Sequence, residues 1–318
     1  MKDFLAMSAT WPKKNGEIKG SLLDEPHIAQ VVSLLQRNDV LVEINAIDSG
    51  LQSEADLLTV KDGMTKVIFG WATPGHPLTK ELLQIAEAYK TTSLQLFIQA
   101  FMMQSLIYRV IQHSISYYAR RIPKELAGFH WVIDAKDKNI TDFEQAWSTV
   151  IFPSVAYQSA EKPFDLLVGG DYSYLERFES TNEAVLTRAK AKSSSPDDVG
   201  VLRLKELLGR SFKFASSETQ LGLQLVDVIA NAVRRALDGN LQPEGWKGIG
   251  ALMVQRPLQS IPFLLLEDKP GVQGRPRKII HPFSTIVAEL SKDNKPILLD
   301  AAGEYQLLRN SRRRRKNH

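Results

Sequence analysis

The chain has 318 residues, of which 43% are hydrophobic and 24% are charged, as is typical of a folded soluble protein. Its length suits one domain with insertions or an extension, and is short for two full domains. It contains no cysteine, which excludes disulfides, thiol nucleophiles and cysteine-bound zinc or iron–sulfur centres.

The net charge of +4 comes from the end of the chain. Six of the 40 basic residues stand in 309–318, and without them 34 basic residues face 36 acidic ones. Such a run can bind phosphates by releasing counterions, and a solvated, disordered end explains it equally well. We predict a disordered basic tail and consider nucleic acid as its partner. The arginines that would bind it are Arg312, Arg313, Arg314 and Arg315.

The first part of the chain has the pattern strand–helix–strand. Phe4–Trp11 (FLAMSATW) and Val40–Ile47 (VLVEINAI) are predicted strands, and apolar residues at helical spacing predict a helix over His27–Asn38. The start lacks the basic-then-apolar layout of a secretion signal, so we predict a cytoplasmic protein.

A long helical section follows, from Ala55 to Pro123, which we interpret as an insertion in an α/β body. Its most hydrophobic part, Leu94–Ile111, contains three glutamines and an arginine. These side chains make spanning a bilayer costly, so we predict a buried helix and no membrane contact.

Strand signals return after the helical section. The run Phe129–Ile133 is typical of a strand buried on both faces, as at the centre of a sheet. A helix is predicted from Asp142 to the residue before Pro153. Further strands are predicted at Phe164–Asp171, Arg210–Ser217 and Lys295–Asp300.

Two carboxylates indicate a functional site. The helix predicted within Ser216–Gly239 is apolar on most sides, yet Gln224, Asp227 and Asn231 share one narrow face. A buried ionised carboxylate is costly unless it is paired, hydrogen-bonded or bound to a cation, so Asp227 is either a satisfied structural residue or a functional one. Asp134 ends a predicted strand, where ligand sites of open α/β sheets collect. With a third acid nearby, the two aspartates could form a Mg²⁺ or Mn²⁺ site that would polarise a phosphodiester and activate water.

Three stretches resemble the bacterial domain-of-unknown-function family 3800. Phe212–Ala230 (FKFASSETQLGLQLVDVIA) is similar to its closing motif, a strand ending in Ser followed by Gly-Leu-Gln-Leu-Ala-Asp on a helix. Asn15–Leu23 (NGEIKGSLL) is similar to its Glu-or-His-x-Lys-Gly stretch, and Trp131–Asp137 (WVIDAKD) to its middle strand. The resemblance spans Phe4 to Gly239. It implies a ribonuclease H-like α/β fold, a mixed sheet with flanking helices.

The resemblance also implies a function, a metal-dependent nuclease or nucleic-acid-processing protein, with mobile-element defence as its role. Carried over by position, it implicates Asp134 and Asp227 as catalytic metal ligands, with Glu17 binding metal or positioning water. Lys19 and Gln224 are further candidates for contact with nucleic acid. A catalytically inactive binding or scaffold protein on the same fold is the rival hypothesis, and an unrelated α/β enzyme acting on a small molecule also stays open.

One family feature is missing from this chain. Family members open with a strand carrying Asp-Glu-Ser-Gly, whose acid anchors the metal, whereas this chain starts where the second strand would start. Either the natural start lies upstream of Met1, or this copy lacks the acid, which would weaken ion binding. The predicted organisation is a ribonuclease H-like domain over 1–240 with its helical insertion at about 55–123, an extension at 241–308 packed on it, and the tail at 309–318.

Overall fold

The computed structural model describes residues 2–47, 52–74, 78–135, 137, 139–162, 164–167, 169–192, 199–209, 212–255, 261 and 283–297. The basic tail at 309–318, and with it the four candidate arginines, lies outside these residues. The helices are α1 (Lys2–Met7), α2 (Glu25–Arg37), α3 (Glu54–Trp71), α4 (Thr79–Thr91), α5 (Leu94–Tyr118), α6 (Asp142–Ala146), α7 (Phe152–Glu161), α8 (Glu183–Lys192), α9 (Leu204–Gly209), α10 (Leu221–Leu237), α11 (Pro243–Trp246) and α12 (Phe283–Leu290). The strands are β1 (Trp131–Asp134), β2 (Phe164–Asp165), β3 (Val199–Gly200) and β4 (Phe212–Ala215).

The strands form two small ladders rather than a central sheet. β1 and β4 pair in parallel, with Trp131 opposite Phe212 and Asp134 opposite Ala215, and β2 pairs with β3 antiparallel over two residues. The predicted ribonuclease H-like mixed sheet is therefore wrong, because the described part of the chain is mostly helical and buries its apolar side chains mainly between helices. β1 is half-buried, not covered on both faces as predicted.

The first predicted strand is a helix. Residues 2–7 form α1, whose Phe4 is fully buried against the edge of Trp11, with ring centroids 6.2 Å apart. Trp11 in turn meets the ring of His27, with centroids 4.8 Å apart. A short apolar run does not distinguish a strand from a buried helical turn, and here the aromatic contacts favour the turn.

The second predicted strand, Val40–Ile47, is a half-buried segment that forms no strand among the described residues. The Val42 N–H donates to Leu252 O at 2.8 Å, and Arg109 Nη2 donates to Ile44 O at 2.7 Å. The predicted strand is thus wrong, because these backbone groups bond to the last residue of a 3₁₀ helix and to a side chain instead of a neighbouring strand.

The predicted helices agree with the structure more closely than the predicted strands do. Asp24 is the N-cap of α2, and its side chain accepts the His27 N–H. Ser53 and Ser93 cap α3 and α5 in the same way. These helices confirm the predicted helix near His27–Asn38 and the helical section at 55–123. The helical run from residue 142 does not stop before Pro153, because a π turn at 147–151 leads into α7 and the proline stands in its first turn, where the missing N–H costs little.

Buried apolar residues form two clusters. The larger joins α3, α4, α5, α7 and α9 around fully buried rings such as Tyr89, Phe97 and Trp147. The smaller joins α1, α2, α10 and the segments after residue 240, around Phe4, Val228 and Trp246. Val254 forms an isolated parallel bridge with Lys295, at the start of the last predicted strand, whose end lies outside the described residues.

α5 is long and apolar enough to cross a bilayer, with a mean hydropathy of 1.3 over its most apolar window. Length and composition alone do not separate a core helix from a membrane helix. In the structure it contacts α3 and α7, and its Arg109 forms a nearly buried ion pair with Glu43. The absence of membrane contact and the cytoplasmic location stay predictions.

Glu43 accepts hydrogen bonds from two side chains of α5. Arg109 Nη2 lies 2.5 Å from its Oε1, and His113 Nδ1 lies 2.6 Å from its Oε2. Burial and the neighbouring Arg109 lower the pKa of His113 to about 4, so at neutral pH the imidazole is uncharged and donates from Nδ1. The Glu43 carboxylate thus links the segment 40–47 to α5 in the larger cluster.

Removing this charge should destabilise the protein. Glu43→Gln leaves the Arg109 guanidinium nearly buried without its counter-ion, and we expect the free energy of unfolding to fall by about 3 kcal/mol. Urea denaturation measures the change. The matched control is Glu87→Gln, which breaks an exposed pair with Lys90 at 3.8 Å and should cost less than about 1 kcal/mol. Equal effects of the two changes would contradict a structural role for the Glu43 pair.

Candidate functional site

Residues 14–23, here called the docking segment, lie against α10. The segment begins with a tight turn in which the Lys14 N–H donates to Glu17 O at 2.9 Å and the Glu17 N–H donates to Lys14 O at 3.0 Å. Gly16 takes φ +81° in this turn, a conformation that favours glycine. The turn brings the backbone of Ile18 and Gly20 onto the polar face of α10.

Gly20 is the point of closest approach. A Cβ atom at this position would lie 2.8 Å from Asp227 O, 2.8 Å from Val228 Cα and 2.8 Å from Asn231 Cβ. Side chains do not fit at such distances, so the contact between the docking segment and α10 requires glycine here. Sequence reasoning missed this residue, because glycine has no chemical group that marks it as part of a site.

Asp227 uses both carboxylate oxygens in this contact. The Gly20 N–H donates to Oδ2 at 2.8 Å, and Asn231 Nδ2 donates to Oδ1 at 2.9 Å. These hydrogen bonds explain how an apolar helix tolerates a half-buried carboxylate at its centre. Each oxygen has a second lone pair, so Asp227 can still accept from, or coordinate, one further group.

Gln224 is buried, with 4% of its surface exposed. Its Oε1 accepts the Ile18 N–H at 3.3 Å, and its Nε2 donates to Ser217 O at 2.8 Å. The amide therefore links the docking segment to the loop between β4 and α10. The predicted contact of Gln224 with nucleic acid would require these hydrogen bonds to break.

Glu17 and Lys19 form an ion pair beside this loop. Glu17 is 6% exposed and also accepts from Ser217 Oγ at 2.9 Å. Its hydrogen bond with Lys19 is the main reason that the pKa of Glu17 is lowered. The same hydrogen bond raises the pKa of Lys19, so at neutral pH Lys19 is a cation and cannot serve as a general base.

Three carboxylates act on the Lys19 ammonium. Besides Glu17, the charges of Asp227 and Asp134 contribute to the raised pKa of Lys19. Asp134 lies at the carboxyl end of β1, which contacts α10. Its side chain is exposed and makes no hydrogen bond or ion pair with the residues that the structure describes. The structure thus brings Glu17, Lys19, Gln224 and Asp227 together at the docking segment, and it places Asp134 at the end of a strand that contacts α10.

The donor set is compatible with Mg²⁺ or Mn²⁺ held partly by a substrate. Among the described residues no group of three or more His, Cys, Asp or Glu side chains lies close enough to bind one ion. Mg²⁺ nevertheless often binds through one or two carboxylates, with water and substrate phosphates as the other ligands. Asp134, with its unpaired carboxylate, and Asp227, with its remaining lone pairs, supply that number.

Two further side chains that sequence reasoning missed support the docking segment. Ser217 donates to Glu17, and Arg235 Nη1 donates to Leu23 O at 2.6 Å. Ser217 lies inside the quoted motif Phe212–Ala230, in the loop between its strand and its helix, so the sequence showed its position but not its role. Arg235 lies at the end of α10, where a basic side chain is equally explained by the helix dipole.

Comparison with known proteins gives no match: no family model, no curated protein and no solved structure matches this chain. The resemblance to domain-of-unknown-function family 3800 therefore stays a prediction.

Proposed function

We propose that the protein cleaves phosphodiester bonds in nucleic acid with Mg²⁺ or Mn²⁺, at the cluster formed by Asp134, Asp227 and Lys19. The observation that carries the proposal is that Asp134 ends β1, which contacts α10, while Asp227 lies on α10 and accepts the N–H of Gly20, the residue after Lys19. A position where two carboxylates favour a single positive charge also favours a divalent cation.

Each residue has a definite task in this proposal. Asp134 and Asp227 would hold the ion, which would polarise the phosphodiester and lower the pKa of a bound water. The Lys19 side chain is 34% exposed, and its ammonium would bind a phosphate oxygen. Glu17 would keep Lys19 charged and in place. Its burial and its bonds to Lys19 and Ser217 make positioning a better role for it than metal binding.

A non-catalytic binding or scaffold protein is the second candidate, and one observation favours it. The Lys19 ammonium already partly neutralises the carboxylates, and Glu17, Gln224 and Asp227 all accept hydrogen bonds that fix the docking segment or the adjacent loop. This is what a purely structural cluster requires. In this reading Asp134 would be a solvated surface residue.

A cleavage assay separates the two candidates. Single-stranded DNA, double-stranded DNA and RNA are incubated with Mg²⁺ or Mn²⁺, with and without EDTA. We expect metal-dependent cleavage of at least one substrate, and a loss of at least about 100-fold in Asp227→Asn, which keeps an oxygen to accept the Gly20 N–H but lacks the charge.

The matched control is Asp238→Asn, at the exposed end of the same helix. It should cleave like the wild type. Equal activity in the wild type and Asp227→Asn would remove Asp227 from the mechanism, and the absence of cleavage on every substrate would favour the binding protein.

A further inference from the structure

A cavity of about 690 Å³ lies among α3, α4, α5 and α7, remote in sequence from the Lys19 cluster. Protein interiors seldom contain voids larger than a water molecule, and pockets of about 300–1,000 Å³ are the ones that hold small ligands. Most of its wall is apolar. The apolar lining residues include Val60, Ile68, Leu82, Ile85 and Phe101.

One side of the cavity is polar and uncharged. Tyr89 Oη donates to Gln104 Oε1 at 3.2 Å, and Gln104 Nε2 donates to Gln158 Oε1 at 3.3 Å. Burial raises the pKa of Tyr89 to about 12, so its hydroxyl stays neutral. These groups form a short hydrogen-bonded chain along the cavity.

Gln158 offers the available donor on this side. Its Oε1 accepts from Gln104, and its Nε2 makes no hydrogen bond with the residues that the structure describes. Ser154 also lines the cavity, but its Oγ is enclosed beside the Tyr89 hydroxyl. Because Gln158 lines the cavity, a ligand bound there can accept from Gln158 Nε2.

The cavity reaches the surface beside two exposed side chains. Trp71 is 45% exposed and stacks on Tyr157, with ring centroids 5.3 Å apart and planes inclined by 25°. Val67 is 49% exposed. Lys162, also exposed, is the charged residue among the described lining residues. The buried part therefore has no charged partner for an ionised ligand group, which would be costly to bury there.

We infer that this cavity binds an uncharged, largely apolar small molecule that carries one hydroxyl or carbonyl group. The apolar body packs against the helix walls, where ring edges and aliphatic groups are available. The polar group accepts a hydrogen bond from Gln158 Nε2, and the Tyr89–Gln104–Gln158 chain orients that amide. This site is independent of the proposed cleavage of nucleic acid.

Three probes with the same ring system test the chemical class. Naphthalene, 2-naphthol and 2-naphthoate are titrated at pH 7, where 2-naphthol is neutral and 2-naphthoate is an anion, and binding is followed by calorimetry and tryptophan fluorescence. We expect 2-naphthol to bind one to one, about threefold to tenfold more tightly than naphthalene, as one added hydrogen bond predicts. 2-Naphthoate should bind more weakly than 2-naphthol. Failure of 2-naphthol to bind, or tighter binding of the anion, would overturn the inference.

Substitutions locate the site. Gln158→Met should reduce the affinity for 2-naphthol to that for naphthalene and leave naphthalene binding unchanged. Gln145→Met is the matched control, because Gln145 is exposed on α6 and does not line the cavity. Ser105→Phe should fill the cavity and abolish binding of both probes in a protein with unchanged circular dichroism. Unchanged binding of 2-naphthol to either Gln158→Met or Ser105→Phe would contradict the inference.

Discussion

Asp134→Asn should abolish metal-dependent cleavage, with a fall of at least about 100-fold in rate, and should leave the stability of the protein unchanged. The side chain is exposed and makes no hydrogen bond with the described residues, so removing its charge breaks no structural contact. Its charge contributes to the raised pKa of Lys19, which lies beside Asp227. The substitution therefore removes one of the two carboxylates proposed to bind the ion and little else.

The measurement is the rate of cleavage of the substrate that the wild type prefers, together with a urea denaturation curve. Glu218→Gln serves as control, since it removes an equally exposed carboxylate from the loop before α10. We expect the control to retain full activity. If Asp134→Asn retains it as well, Asp134 is a surface residue and the cluster is structural.

Gly20→Ala should destabilise the protein strongly, by about 3 kcal/mol in the free energy of unfolding. The added methyl group would lie 2.8 Å from backbone atoms of Asp227 and Val228, which belong to a packed helix and cannot move independently. The docking segment would have to withdraw, and its hydrogen bond to Asp227 Oδ2 would be lost. This variant tests the contact on which the site depends without changing any charge.

Gly222→Ala is the matched control for this variant. Gly222 lies in the first turn of α10, and a Cβ there would meet no atom within 4 Å. Because alanine favours helix more than glycine does, we expect stability to stay equal or to rise by up to about 1 kcal/mol. Denaturant midpoints of the two variants measure the difference. Similar midpoints for both would contradict close packing of the docking segment on α10.

The candidate residues were chosen from local patterns in the sequence, and their proposed chemistry stays a prediction. Asp134 and Asp227 could be selected because a carboxylate at a strand end, or on an apolar helix, conflicts with its surroundings. The structure places them on two elements that contact each other, β1 and α10, although the described part of the chain is mainly helical. A polar residue in an apolar segment can be recognised from its neighbours in the sequence, so the choice of Asp227 did not depend on the predicted fold.

The overall fold could not be predicted in the same way. Phe4–Trp11 and Val40–Ile47 have strand-like composition, but strands need partners, and partners are set by contacts between distant residues. One such contact joins Gly20 to Asp227, 207 positions apart in the chain. Periodicity identifies which face of a helix is buried and not what covers it, which explains why the helical section was predicted and the sheet was wrong.

Binding of Mn²⁺ tests the central claim most directly, namely that Asp134 and Asp227 serve one cation site. Free Mn²⁺ is measured by electron paramagnetic resonance as the protein is titrated in the presence of a cleavage-resistant phosphorothioate oligonucleotide. We expect saturable binding of Mn²⁺ by the wild type, and weak binding by Asp134→Asn and by Asp227→Asn alike. Wild-type affinity in both variants would contradict a shared site.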